Sequence, residues 1–120
     1  MGSSFTELVV DAADPDALAR FWEEVLGWER TDDTDGEIEL TPPGGAKPTL
    51  LFVKVPEAKS VKNRIHIDVN PVACTRDEEV DRLLSLGARH VDIGQGDQSW
   101  VVLADPEGNE FCVLGTTVEA

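Results

Sequence analysis

The chain has 120 residues, 24 of them acidic and 10 basic, for a formal net charge of −14, and 41% of the residues are apolar. This length and apolar content suit one compact domain that buries roughly two thirds of its unfolded surface, and they leave no room for a second independent domain. The charge excludes nucleic acid and anionic membrane surfaces as partners, because phosphate binding draws its affinity from clustered Lys and Arg that this chain lacks.

The opening Met1-Gly2-Ser3-Ser4 has none of the basic and apolar stretches of a signal peptide, and no apolar run approaches membrane-spanning length. A cytoplasmic location is the expectation. Cys74 lies before a predicted helix and Cys112 inside a predicted strand, so the two form neither a disulfide framework nor a CxxC motif and read as free thiols.

Phe5 to Val10 reads as a strand, followed by Asp14-Pro15, an N-cap with proline at the first helical position. Leu18, Phe21, Trp22 and Val25 fall at i, i+3, i+4 and i+7, a single apolar stripe, and Gly27 sits where a left-handed C-terminal cap belongs. Such a helix needs a sheet to cover its stripe. The polar stretch Asp32-Asp33-Thr34-Asp35-Gly36 follows, then Ile38 to Leu40 as a short strand, Pro42-Pro43-Gly44-Gly45 as a turn, and Thr49 to Val55 as another strand. The first half therefore reads βαβββ with one short strand poorly defined, and Pro56 to Asn63 reads as a linker.

Arg64 to Val69 opens the second half as a strand, and Thr75-Arg76-Asp77-Glu78 has the spacing of a capping box. Val80, Leu83 and Leu84 give the helix its buried side before Gly87 ends it; His90 to Ile93 and Ser99 to Leu103 read as strands. Asp105-Pro106-Glu107-Gly108-Asn109 is a tight-turn sequence, and Glu110 to Leu114 the closing strand. The same order of elements thus occurs twice at an offset of about 60 residues, a period that marks an internal duplication. The fold class is α+β: tandem βαβββ modules, about 4–56 and 63–116, within one domain over 1–120, each curved sheet carrying its helix outside and the two enclosing a cleft. Matching the halves pairs Glu7 with His66 in the first strands and Phe52 with Cys112 in the last, and these four positions are expected to converge.

The residues resemble the vicinal oxygen chelate superfamily, which includes glyoxalase I, fosfomycin- and bleomycin-resistance proteins and extradiol dioxygenases, and most nearly its glyoxalase-like domain subgroup. The matching stretches are Asp11-Ala-Ala-Asp-Pro15 with Phe21-Trp22 and Leu26-Gly27, Lys62-Asn-Arg-Ile-His-Ile-Asp68, Leu86-Gly87-Ala88, Trp100, and Asp105-Pro-Glu-Gly-Asn-Glu-Phe-Cys112, the last being the most specific. The resemblance implies the glyoxalase/bleomycin resistance/dihydroxybiphenyl dioxygenase fold and, in the enzymes of the superfamily, one divalent metal held by His or Glu from the first and last strand of each module. Carried over by position, those sites are Glu7, Phe52, His66 and Cys112. Phe52 cannot bind a metal, and a thiolate at Cys112 with Glu7 and His66 favours zinc over magnesium, manganese or iron.

His66 and Asp68 alternate on one side of their strand, so both can reach a cleft, with His66 as base, ligand or hydrogen-bond partner; a structural role for it stays open. Glu7, Val9 and Asp11 share a side of the first strand by the same period. Glu7 opposite His66 can serve acid–base work, whereas Asp11 is placed to brace the turn into the helix. Cys112 reads as a small buried thiol, since nucleophilic use needs a nearby cation. Trp22 and Trp28 read as packing residues. Trp100, after the loop Gly94-Gln-Gly-Asp-Gln-Ser99, can close over a planar or apolar ligand from a mobile rim or sit in plain core. Lys54, Lys59, Lys62 and Arg64 read as a solvated linker or as a hold for an anionic group.

The expected function is binding of a small, aromatic or apolar molecule, of sequestration or resistance type, through His66, Asp68, Phe52, Trp100 and Cys112. No cofactor and no complete metal site are expected; the alternative is a metal-dependent lyase or isomerase with Glu7 and His66 as candidate catalytic groups, Glu7, His66 and Cys112 as ligands, and zinc as the metal. Partners are a small-molecule ligand and, by the resemblance, a second copy in a homodimer.

Overall fold

The computed structural model describes residues 1–92, 94 and 99–120, so the end of the strand expected to reach Ile93 and most of the Gly94 to Ser99 rim lie outside the described residues. The chain divides into two compact units, Met1–Ala58 and Lys59–Ala120.

The first unit runs β1 (Glu7–Ala12), α1 (Pro15–Leu26), β2 (Glu29–Thr34), β3 (Glu37–Thr41) and β4 (Thr49–Lys54), with sheet order β1-β4-β3-β2. Strand β1 is parallel to β4, and the other neighbours are antiparallel. The start of α1 follows the sequence closely: the Asp14 carboxylate accepts the Ala17 amide at 3.2 Å, Pro15 needs no donor partner, and Gly27 ends the helix in the left-handed region. Leu18, Ala19, Phe21, Trp22 and Val25 form its buried stripe, with the Phe21 and Trp22 rings edge-on at 5.4 Å.

Strand β2 departs from the expected reading, which had a polar stretch over Asp32 to Gly36. Asp35 and Gly36 both take positive φ (55° and 78°), the two-residue turn that matches strand twist, and this closes β2 onto β3 as a hairpin. Being at the sheet edge and exposed along most of its length, β2 carries no apolar alternation to betray it. Side chains hold it instead: the Arg30 guanidinium donates to Glu23 at 2.5 Å and Asp16 at 2.9 Å, both on α1.

The second unit repeats the plan with β5 (Asp68–Val69), α2 (Arg76–Leu86), β6 (Arg89–His90), β7 (Val101–Ala104) and β8 (Glu110–Val113), in the order β5-β8-β7-β6. The α+β class and the tandem βαβββ order are thus present, with the same strand order in each sheet. At the α2 start the Thr75 hydroxyl accepts the Glu78 amide while the Glu78 carboxylate accepts the Thr75 amide, and these bonds hold the Glu78 carboxyl below its usual range. Strand β6 is shorter than expected, because Asp92 turns back to accept the Gly94 amide at 2.7 Å.

Strand β5 is likewise far shorter than the expected Arg64 to Val69. Its approach is fixed by a side chain rather than a ladder: Glu110 accepts the Asn63 amide at 2.7 Å and the Lys59 ammonium at 2.8 Å, and its carbonyl takes the Asn63 side-chain amide. Lys59 and Glu110 side chains are only 19% and 12% exposed, so this is a part-buried clamp, not a solvated linker. Burial works to raise the Glu110 carboxyl, yet the Lys59 bond and the Asn63 amide outweigh it and leave it below the ordinary range. A depressed carboxyl adds stability above its unfolded pKa, and that stability is lost as pH falls through the folded one. Glu110→Gln is expected to cost about 1–3 kcal/mol at pH 7, and the difference from the parent to shrink progressively as pH falls below the ordinary carboxylate range, as read from urea unfolding across acid pH.

Among the described residues, no helix is long and apolar enough to cross a membrane.

Candidate binding face

Register decides which side chains share a face. In the first unit Leu8, Val10 and Ala12 align with Leu50, Phe52 and Lys54, while Leu50 and Phe52 face Leu40 and Ile38 across β3. Leu50, Phe52, Leu40 and Ile38 are all buried, as the side covered by α1 must be. Glu7, Val9 and Asp11 therefore look the other way, with Thr49, Leu51 and Val53. Glu7, at the start of β1, and Asp11 are both exposed.

In the second unit Asp68 pairs with Cys112, and Cys112 with Val102, whereas Phe111 pairs with Leu103 and Val113 with Val69 and Val101. Cys112 and Asp68 thus lie on one face with Val102, and Phe111 lies on the opposite one. Aligning His66 with Glu7 puts Asp68 at the place of Val9, whose partner is Leu51. Leu51, not Phe52, is the counterpart of Cys112. The expectation that Phe52 lines the site is corrected by one position: Phe52 is fully buried on the helix side, where it packs the core and cannot meet a ligand.

The residues gathered in the second unit are His66, Asp68 and Cys112, whose nearest ligand-type atoms all lie within 4.8 Å of one another. His66 Nε2 stands 3.7 Å from Asp68 Oδ1, and both side chains are close to half exposed. Cys112 is 5% exposed beneath them and is fixed from the backbone, its amide donating to the Ile67 carbonyl at 2.9 Å. Burial pushes the Cys112 thiol up, the Asp68 charge and the thiol bond to Asp68 push it further, and Lys62 opposes them weakly. The thiol is therefore neutral at pH 7 and a poor nucleophile, in line with its reading as a small buried group. Both cysteines are free.

Trp100 is half-buried in the bend one residue before β7, Trp22 is in the α1 core, and Trp28 is half-buried between α1 and β2. Lys59 belongs to the Glu110 clamp. One feature escapes sequence reasoning here: Leu51 as the Cys112 counterpart, which requires the β1–β4 register, whereas Asp68 is expected beside His66 from strand alternation and the β5–β8 pairing sets it opposite Cys112.

The family model of the glyoxalase-like domain matches residues 7–114. The fosfomycin resistance protein FosX from Listeria monocytogenes has a similar structure, with a TM-score of 0.73 at 15% identity, covering 98% of this chain and 94% of that one. A glyoxalase/bleomycin resistance protein/dioxygenase family enzyme from Burkholderia phytofirmans gives 0.68 at 18% identity, with 92% and 97% covered. A FosX variant from the same Listeria species, complexed with Mn(II) and a dihydroxypropylphosphonic acid, gives 0.68 at 14% identity, with 97% and 92% covered. No curated protein sequence matches the chain. With the duplicated βαβββ order, the shared sheet topology and a family match over nearly all its length, the chain belongs to the glyoxalase-like domain family of the vicinal oxygen chelate superfamily.

Proposed function

We propose that the protein binds a small organic molecule on the Cys112 face of its second sheet, with the His66 imidazole and Asp68 carboxylate as polar contacts. The single observation that carries this reading is the exposed imidazole–carboxylate pair set above a floor of buried Cys112 and Val102. A few convergent polar groups over an apolar floor are the usual composition of a small-ligand site. Trp100, next to β7, supports an aromatic or apolar guest. The face is suited to hydrogen bonding without covalent chemistry, because its thiol stays protonated and its imidazole can both donate and accept.

The four-position metal set of the superfamily does not fit this chain: Leu51 stands at one of the positions and offers no donor. The rival reading is a metal-dependent lyase or isomerase using Glu7 and His66, supported by the Mn(II)-bound fosfomycin-resistance neighbour. Thermal shift of chelator-treated protein against a panel of aromatic and apolar small molecules separates the two. Stabilisation of about 2–3 kcal/mol at a hundredfold excess over Kd, lost in His66→Ala and Asp68→Ala, is expected. Turnover that depends on stoichiometric metal and on Glu7 would overturn the binding reading.

A further inference from the structure

We propose that Glu110 is a positioning residue for the binding face: by holding Asn63 it sets where the His66 imidazole stands over Cys112. The inference rests on the reading of the Cys112 face as the binding face, and adds to it a residue that acts through His66 rather than on the guest.

Glu110 and Cys112 are two residues apart on β8, so their side chains rise from the same face of the sheet. The segment that carries His66 is tied to that strand twice. At Asn63 the Glu110 carboxylate accepts the backbone amide at 2.7 Å, and at Ile67 the carbonyl accepts the Cys112 amide at 2.9 Å. Between these ties Arg64, Ile65 and His66 lie outside any strand, and among the described residues no backbone hydrogen bond holds them. Four residue steps separate the ties along this segment, but only two separate them along β8. Two steps of strand advance about 6.6 Å, whereas four can span about 13 Å. The surplus chain bows away from the sheet, in keeping with Ile65 at 75% exposure and a His66 side chain close to half exposed. A bow of fixed length takes its height and twist from where its ends are pinned. The Ile67 end is a backbone bond that any sequence can make; the Asn63 end needs the acceptor that Glu110 supplies.

That acceptor is itself held. The Lys59 ammonium donates to the second carboxylate oxygen at 2.8 Å, and the Asn63 side-chain amide reaches the Glu110 carbonyl at 3.5 Å. With both partners of the ion pair largely buried, water competes little for these groups. Asp68, by contrast, is set opposite Cys112 by the β5–β8 pairing and owes nothing to the clamp. Loosening Glu110 therefore moves His66 relative to Asp68 instead of moving the two together.

The test uses NMR of the full chain, in which His66 and His90 are the two histidines. His90 lies on β6, at the opposite edge of the sheet from β5, and serves as internal reference. Glu110→Ala is expected to displace the His66 ring signals, leave those of His90 in place, and weaken binding of indole, a flat aromatic with one N–H donor, about five- to tenfold. Glu110→Gln keeps an acceptor oxygen for the Asn63 amide, and should restore both the His66 signals and the affinity even though the ion pair with Lys59 is gone. Val25→Ala, which thins the α1 stripe in the other unit, should lower stability with the His66 signals unmoved. Asn63→Pro removes the donor itself and should reproduce Glu110→Ala, which keeps the test sound where the alanine variant fails to fold. His66 signals unchanged in Asn63→Pro, equally displaced in Val25→Ala, or left displaced in Glu110→Gln would each overturn the proposal. A parent protein that ignores indole while its His66 signals move as expected would sink the binding reading alone.

Discussion

Phe52→Ala is expected to lower stability by about 3–5 kcal/mol, the cost of a large void in a packed core. For a domain of this size that is a large share of the total, which for most proteins is about 5–15 kcal/mol. Phe52 is fully buried in β4, between Val10 on one side and Ile38 on the other, and no neighbouring backbone can collapse into its space without breaking ladder bonds. Leu51→Ala, one residue earlier and half-buried on the face away from the helix, should cost only about 1–2 kcal/mol. Urea unfolding of the two variants reads the register directly, since a sheet side chain changes face with every residue. A larger loss for Leu51→Ala than for Phe52→Ala would reverse the face assignment and restore Phe52 as a site residue.

The same one-residue step shows how far sequence reasoning reaches in this chain. Helix α1 is legible to the residue because Asp14, Pro15 and Gly27 act locally and each satisfies a specific backbone need. The capping box of α2 is legible for the same reason. Strand β2 is hidden because it sits at the sheet edge and owes its place to Arg30 reaching back to Glu23 and Asp16, a contact with no local signature. Strand β5 looks longer than it is because alternation continues through Arg64 and His66, while just before them Asn63 is tied to Glu110, its amide to the carboxylate and its side-chain amide to the carbonyl. For the site, period two correctly places His66 with Asp68, but only pairing across strands shows that Asp68 faces Cys112 and that Leu51 takes the place assigned to Phe52.

The turn that delivers Cys112 carries the other large effect. Asp105 is 1% exposed, and its carboxylate accepts the amides of Glu107 at 3.0 Å and Asn109 at 2.9 Å and the Asn109 side-chain amide at 3.0 Å. Its own amide donates to the Asn109 carbonyl, closing the loop on itself. Asp105→Ala leaves these donors without an acceptor in a site that water cannot easily enter, and the penalty for each such group exceeds the net worth of the bond it made. The expected loss is about 3 kcal/mol, a fall in Tm of roughly 10–15 °C at this chain length. Asp105→Asn keeps one acceptor oxygen for the two backbone amides and should lose about half as much. Because β7 and β8 are joined by this turn, its loosening should also speed exchange of the Cys112 amide, which bonds Ile67, ahead of global unfolding. Calorimetry and native-state hydrogen exchange on the two variants check both parts. An Asp105→Ala protein within about 0.5 kcal/mol of the parent would mean that the β7–β8 ladder alone sets the position of Cys112, and that the buried carboxylate is dispensable.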